Sequence, residues 1–482
     1  MEAKEVTLRI DDKEVKANEG ATILEVAKKV DIEIPTLCYI SSLSPFGACR
    51  VCSVEITDQR GRKKVVTSCN YPVKEGLVVS TKSEKVLKTR KVLLELLLAR
   101  CPKVKKIQDL AREYGIEKPR FWIEDAEEDC VLCGLCARVC EERIGVYAIN
   151  FAKRGVEREV TAPYHRFSDD CIGCGACAIV CPTNSRRIQV NTYPTLSEDI
   201  EKIGQQFLKG TKDENFGVYS NLFAAKSTVD GQDGGVATAL LVSGMQRGLF
   251  DAAIVVQRTD GYWAEAIIAE NVEDIVKARG TKYLRVKMMS KLGELIDKGK
   301  RRIMFAGTAC EVRAARKIQQ ILLKDFPDVE ITIIGLFCFE AFDYEKLKEE
   351  TKRLLGVDLD KAEKTQIHKG KYIVQVDGKE YSCKVRDLHK AVEKGCVYCD
   401  DFTAKLADIS VGSVGSPDGY STVIVRSDAG KRLLEKLDLA KGDVNTEEVA
   451  KLSILKKKRA TRNFAPILRD VEVQAAPPSQ PC

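Results

Sequence analysis

The hydrophobic pattern changes period several times along the chain, and each change predicts a different kind of element. Val6-Thr-Leu8-Arg-Ile10 alternates apolar and polar, so every second side chain falls on one face, as a half-buried strand requires. Asp11-Asp12-Lys13 is a polar turn, and a returning strand runs through Val15. Thr22 then caps a short helix from Ile23 to Val30, and Pro35 breaks any continuation of it. From Ser83 to about Glu124 the period becomes helical: Val86, Leu93, Leu94, Leu97 and Leu98 form an apolar stripe opposite Lys and Arg. From about Asp213 the chain reads as α/β alternation, with strands at Ala252 to Val256, Arg302 to Phe305 and Ile331 to Ile334 and helices at Asn271 to Arg279 and Ala309 to Leu323. Residues 408–426 return to strand character with turns at Gly412 and Gly415, closing a domain of roughly 270 residues.

Two cysteine runs interrupt this pattern. They read Cys130-Val-Leu-Cys133-Gly-Leu-Cys136-Ala-Arg-Val-Cys140 and Cys171-Ile-Gly-Cys174-Gly-Ala-Cys177-Ala-Ile-Val-Cys181-Pro182. In this spacing three thiolates of a tight loop hold one face of a 4Fe-4S cube, and the fourth reaches the other cube. One cluster is therefore expected on Cys130, Cys133, Cys136 and Cys181, and a second on Cys171, Cys174, Cys177 and Cys140. Zinc sites space their cysteine pairs further apart, and cytosolic chains rarely keep disulfides, so neither fits the doubled spacing as well. Glu141 stands where a Pro usually comes next, which leaves the ligands in place. The thirty residues between Cys140 and Cys171 suit a small hairpin or helix.

A third set, Cys38-x10-Cys49-x2-Cys52-x16-Cys69, comes after the first strands and helix, with Gly47 free to bend the loop around inorganic sulfur. It resembles the β-grasp 2Fe-2S ferredoxin domain that opens the large iron-sulfur subunit of complex I and iron-only hydrogenases. Those relatives continue with a His and three Cys for one more cluster. Here the chain offers only Leu98-Ala99-Arg100-Cys101-Pro102, so no cluster is expected in the linker, and Cys101 is read as a packed thiol.

With 482 residues, 44% of them apolar, the chain is long enough for about three domains with real cores. Nineteen cysteines in a short chain would point to a secreted disulfide scaffold, but the opening MEAKEVTLRIDDKE is no basic-then-apolar signal. The longest apolar runs, near Leu93 to Ala99 and Ile331 to Phe339, are too short to cross a bilayer, so a cytoplasmic location with metal-bound thiols is expected. The formal charge of +7 counts every Cys as neutral. Clusters with four thiolates, each carrying about two net negative charges, bring the loaded protein near neutrality, and Lys and Arg are dispersed, so no nucleic-acid partner is expected.

The α/β region carries a further constellation. Gln232-Asp233-Gly234-Gly235-Val236-Ala-Thr238 lies between a loop and a helix, where backbone N–H groups converge and the helix dipole favours anions. A plain turn before a helix is the alternative. Gly280-Thr281-Lys282-Tyr283 and Gly307-Thr308-Ala309-Cys310 come next, then Gly335-Leu-Phe-Cys338 and Cys396-Val-Tyr-Cys399. Cys310 and Cys338 each sit just past a predicted strand, at the edge where α/β sheets place ligands. Cys396 and Cys399 can complete a four-thiolate site; a redox disulfide between them, or buried thiols at Cys310 and Cys338, are the alternatives.

In order and spacing this set resembles the coenzyme F420 hydrogenase/dehydrogenase beta subunit family, with Ala309 where the family's Gly-Thr-Pro-Cys has Pro. The resemblance implies FAD, a third 4Fe-4S cluster on Cys310, Cys338, Cys396 and Cys399, and hydride exchange with coenzyme F420. It also implies FAD contacts at Gln232, Asp233, Gly234, Gly235, Val236, Thr238, Gly280, Thr281, Lys282, Tyr283, Gly307 and Thr308, with Lys282 balancing a phosphate or the reduced flavin's charge. None of the three histidines lies in these motifs, so no catalytic side chain is assigned and the flavin is expected to supply the chemistry.

The expected fold is multidomain α+β and α/β: a β-grasp 2Fe-2S ferredoxin at 1–82, a helical linker at 83–124, a bacterial-type 2x4Fe-4S ferredoxin at 125–195, an α/β flavin-binding F420-reductase domain at 213–470 and a flexible tail at 471–482. The expected function is a converter between hydride and single electrons, in an anaerobic archaeon. Its partner is a hydrogenase, formate dehydrogenase, CO dehydrogenase, formylmethanofuran dehydrogenase, heterodisulfide reductase or ferredoxin. The rival readings are a ferredoxin-dependent flavin reductase of another substrate and an electron-transfer subunit without flavin.

Overall fold

In the computed structural model, which describes residues 4–165, 168–185, 197–259, 261–323 and 326–475, the opening alternation forms β1 (Glu5–Ile10), paired antiparallel with β2 (Lys13–Asn18). Thr22 caps the Ile23–Lys29 helix through a complete capping box, its Oγ1 accepting from Glu25 N–H at 3.2 Å while its own N–H donates to Glu25 Oε2 at 2.8 Å. With β3 (Ser53–Thr57), β4 (Lys63–Thr67) and β5 (Val78–Ser80) the strands make a five-stranded sheet ordered β2-β1-β5-β3-β4. Val6, Leu8 and Ile10 bury against Ile23, Leu24, Val26 and Ala27 of the helix, so the alternation and the helical stripe meet in one core.

The helical stretch divides at Cys101-Pro102 into Glu84–Arg100 and Lys105–Glu113. Val86, Leu94 and Leu98 of the expected stripe are buried, and buried Arg90 holds the first helix to the sheet by donating to Ser53 O at 2.7 and 3.1 Å. The insertion between the cysteine runs contains the hairpin β6 (Asn150–Ala152) and β7 (Glu159–Thr161). The fold forms two compact units, one of Met1–Arg166, Ala176–Thr192 and Ala465–Cys482, the other of Phe167–Gly175 and Tyr193–Phe464. The boundary thus runs through the second cysteine run, where sequence reading expects one undivided domain at 125–195. Residues 186–195 of that range lie outside the described residues.

In the second unit, β8 (Thr211–Asp213) and β9 (Gly217–Tyr219) form a short hairpin. The strands β10 (Asn221–Ser227), β11 (Ala252–Arg258), β12 (Ala264–Ala269), β13 (Arg302–Thr308), β14 (Glu330–Leu336), β18 (Ile409–Gly412), β19 (Ser421–Val425) and β20 (Leu439–Gly442) build one sheet. Its order is β12-β11-β13-β14-β18-β19-β10-β20, with β11, β13, β14 and β18 parallel. Helices cover both faces over two buried clusters, one around Ile303, Phe305 and Val312, the other around Leu240, Met304 and Ile409. The Ser197–Phe207 helix packs on the first of these, so the second unit begins before the expected residue 213.

A three-stranded meander, β15 (Lys364–His368), β16 (Lys371–Val376) and β17 (Lys379–Lys384), is an addition to the expected alternation. The closing helix runs Thr446–Ala475, so the expected tail at 471–482 begins as helix; residues 476–482, including Cys482, lie outside the described residues.

Candidate metal centres and flavin site

All four thiols of the first set, Cys38, Cys49, Cys52 and Cys69, are buried on the loops around β3 and β4. Gly47 takes φ +71°, which lets the loop curl so that Cys49 N–H donates to Cys38 Sγ at 3.5 Å. The thiols work in pairs. A hydrogen bond from Cys49 pulls Cys38 down to about 6 and pushes Cys49 up, and one from Cys69 pulls Cys52 down to about 7 and pushes Cys69 up. Two thiolates thus form readily at neutral pH, the state in which cysteine ligates metal.

Cys130, Cys133, Cys136 and Cys181 line a single cavity with Val131, Gly134, Val160, Thr183 and Ser185. The fourth thiol arrives from the far run, as the crossed pairing expects, and Ser185 N–H donates to Cys181 Sγ at 3.3 Å. Burial pushes Cys133 up to about 12 and Cys136 well above its ordinary value, a cost that a bound metal reverses by taking the thiolate. Of the second expected set, Cys140 and Cys177 belong to the first unit and Cys171 and Cys174 to the second. Ala148 N–H donates to Cys140 Sγ at 3.2 Å. Cys101 is fully buried, as a packed thiol should be.

In the second unit β13 and β14 run in register, Gly307 opposite Gly335 and Thr308 opposite Leu336, so Cys310 and Cys338 leave the sheet at the same edge. The Lys394–Tyr398 turn brings Cys396 and Cys399 to them. Cys338 N–H donates to Phe402 O at 3.0 Å, and Ala341 N–H donates to Cys396 Sγ at 3.3 Å. Burial pushes Cys310, Cys338 and Cys396 up to about 12, and the charge of Cys399 acts on all three. Among the described residues no three His, Cys, Asp or Glu side chains could hold a single metal ion.

Sequence reading missed the cations at this site. Lys456, 2% exposed, donates from Nζ to Cys338 O. Burial works against its charge, but Cys399, Cys338 and Cys396 outweigh burial and hold its pKa above the ordinary lysine value. Arg459 donates to Cys396 O at 3.1 Å and pairs with Glu340 at 2.6 Å. The available signal was position: Lys456 falls on the stripe of Val449, Ser453, Ala460 and Ile467, all buried.

The segments expected to contact flavin converge partly. Gln232 Nε2 donates to Tyr283 Oη at 3.2 Å, and Thr281 N–H donates to Gln232 Oε1 at 2.9 Å, joining the 232–238 and 280–283 segments. The Val236–Gln246 helix starts at Gly235, at φ +67°, with no side-chain cap, leaving its first amides for an acceptor. Burial raises the Asp233 pKa. Gly234 and Gly235 serve the protein's own packing: a Cβ on them would lie 2.4 Å from Ala225 O and 2.0 Å from Val229 O. Lys282 differs from expectation. Its Nζ donates to Val256 O at 2.9 Å, Ala278 O at 2.5 Å and Arg279 O at 3.1 Å, so all three N–H bonds are used and none is left for a phosphate. Gly307 and Thr308 end β13, and Thr308 Oγ1 lies 3.3 Å from Cys310 Sγ.

Residues 222–293 and 300–452 match the N- and C-terminal parts of the coenzyme F420 hydrogenase/dehydrogenase beta subunit. The coenzyme F420 hydrogenase subunit beta of Methanosarcina barkeri is 36% identical over 235 residues, 47% of this chain and 81% of the relative. The chain belongs to the coenzyme F420 hydrogenase/dehydrogenase beta subunit family. Ahead of that family's region, residues 3–84 match a 2Fe-2S iron-sulfur cluster binding domain and residues 129–185 a 4Fe-4S dicluster domain. The coenzyme F420-dependent sulfite reductase of Methanocaldococcus jannaschii is 36% identical over 255 residues, but these span only 40% of its length and 50% of this chain. A chain of the F420-reducing [NiFe] hydrogenase complex from Methanosarcina barkeri superposes with a TM-score of 0.50 at 32% identity, covering 53% of this chain and 94% of that one. No helix among the described residues is long and apolar enough to cross a membrane.

Proposed function

We propose that the chain is an iron-sulfur flavoprotein that exchanges hydride with coenzyme F420 and passes single electrons to or from a partner oxidoreductase or ferredoxin. One observation carries most of the reading: Thr308 and Cys310, 3.3 Å apart, put the residues given to the flavin and those given to a cluster on a single strand end. When bound, FAD would supply the change between two-electron and one-electron transfer. The amides of Val236, Ala237 and Thr238 would hold its phosphates, and Gln232, fixed by Tyr283 and Thr281, would orient against it. Lys282 acts at one remove, tying the 278–282 turn to β11.

The thiols Cys310, Cys338, Cys396 and Cys399 would hold one 4Fe-4S centre, with Lys456 and Arg459 as counter-charge. The way out runs past Arg285, whose Nη2 donates to Asp170 O at 2.5 Å, next to Cys171, and whose charge also acts on Cys310. Lys287 pairs with Asp170 at 2.8 Å on the same side. The kinds of partner that fit are hydrogenase, formate, CO or formylmethanofuran dehydrogenase, heterodisulfide reductase and ferredoxin.

The test is anaerobic: reduced F420 is added to FAD-loaded protein with a one-electron dye while deazaflavin absorbance is followed and iron counted. Rapid oxidation with about fourteen irons per chain, from one 2Fe-2S and three 4Fe-4S centres, is the expected result. Full iron and bound flavin without turnover would discard F420 and leave a reductase of another substrate.

A further inference from the structure

We propose that Arg138 is a positioning residue that fastens the Cys38 loop to the Cys130–Cys140 loop and supplies the shared positive charge between their two centres, making them direct electron-transfer neighbours. This rests on the ligand sets of the first unit and not on F420.

Arg138 stands in sequence between Cys136 and Cys140, yet its side chain leaves its own loop. Nη2 donates to Cys38 O at 2.7 Å and Nη1 to Ser44 O, and the guanidinium lies 5.4 Å from the centre of the Phe46 ring. The residue is 8% exposed, and its buried Nε has no hydrogen-bond partner. Among the described residues its partners are carbonyls and a ring, not a carboxylate. The Cys38 thiol is the group of opposite charge that it acts on, and a buried cation without full counter-charge is costly. Four-thiolate centres on both sides, each with about two net negative charges, would meet that cost.

The loops also meet around it. Ser44 donates to Glu142 from N–H at 2.8 Å and from Oγ at 2.5 Å, and Arg143 Nε donates to Ser42 O at 2.7 Å. A Cβ on Gly134, which lines the Cys130 cavity, would lie 3.1 Å from the Phe151 ring and 3.3 Å from the Phe46 ring. A single electron moving between the centres makes and breaks no bond and carries no proton. The Arg138 charge favours whichever centre holds the extra electron, so it raises both reduction potentials.

The experiment is an EPR-monitored redox titration of the full-length, cluster-loaded chain. At the ambient potential where the wild-type 2Fe-2S centre is half reduced, R138Q should lower its reduced-to-oxidised ratio about tenfold, ~59 mV for a one-electron couple. R138K, which keeps the charge, should stay within about threefold. In the wild type, reducing the neighbouring cube should speed relaxation of the 2Fe-2S signal. An unchanged ratio in R138Q at full iron overturns the charge role, and so does a tenfold fall in R138K at full iron. If R138Q loses iron, R138K and the wild-type relaxation decide, and a wild-type signal indifferent to the cube overturns the contact. Wild-type protein lacking iron in the first unit would instead defeat the ligand assignment and the proposal with it.

Discussion

Replacing Lys456 by Met separates charge from packing at the thiols of the second unit. Lys456 is buried, donates to Cys338 O and has Cys399, Cys338 and Cys396 around its ammonium. Without metal, burial pushes Cys310, Cys338 and Cys396 up to about 12, so these three thiols are protonated at neutral pH and bring the ammonium no negative charge, leaving Asp401 as a carboxylate that acts on it. Met fills similar space, forfeits one hydrogen bond of about 1 kcal/mol and removes a buried charge, so the metal-free variant should be close to wild type. With a bound 4Fe-4S centre the balance reverses. At an effective dielectric of about 20 and a separation of roughly 6 Å, one unit charge contributes ~2.8 kcal/mol, and two net charges set an upper figure of ~5.5 kcal/mol. Breaking buried pairs costs about 3–5 kcal/mol, so ~3 kcal/mol is a fair expectation, equivalent to roughly a hundredfold. The assay is anaerobic iron release to a chelator, followed by the loss of cluster absorbance, beside thermal melts of the metal-free forms. K456M should lose the second-unit cluster on the order of a hundred times faster while its metal-free melt moves little. Equal iron content and equal release rates would refute the counter-charge argument; equal destabilisation of both forms would reduce Lys456 to a packing role.

Gly335→Ala would place a Cβ 2.5 Å from Ala404 Cβ and 2.8 Å from Ala407 Cβ, both fixed to backbone; we expect a loss of about 1–3 kcal/mol in urea unfolding of the second unit, and an unshifted midpoint would contradict it. Burial holds Lys282 at about 8, below its unfolded value, so between pH 8 and 10 the unfolded chain binds more protons and stability should rise with pH. Lys282→Met should remove that rise, worth at most ~3 kcal/mol, and a wild-type-like slope in the variant would exclude the assignment. Cys133→Ser should lower iron by about four per chain, whereas Cys101→Ala should leave the count unchanged, and the reverse outcome would invert the roles of these two thiols.

What the sequence made legible was local. The strand at Val6, the Thr22 cap and the cysteine runs each depend on spacing within a dozen or so residues, and β11, β13 and β14 stand where their apolar runs predict. The meander was equally local and was overlooked. Lys369-Gly370 and Asp377-Gly378 each put two residues at positive φ, the demand of a type I′ hairpin, between alternating runs, so the Asp-Gly pair was a readable signal. The carbonyl contacts of Lys282 were overlooked for a different reason. A lysine near a phosphate motif was given the phosphate, but the carbonyls of residues 278 and 279, just past the Val272–Lys277 helix, are nearer acceptors and attract a cation by the helix dipole. The cations at the thiols were beyond reach by any spacing. Arg138 acts on a cysteine 100 residues away and Lys456 on one 118 residues away, and both look like ordinary solvated charges in sequence. Ligands must bind one small inorganic core, which fixes their spacing; counter-charges need only approach it, and any element the fold brings near can supply one. For that reason the thiols of this protein can be read from the chain, while the electrostatics that set their potentials can be read only from the packing.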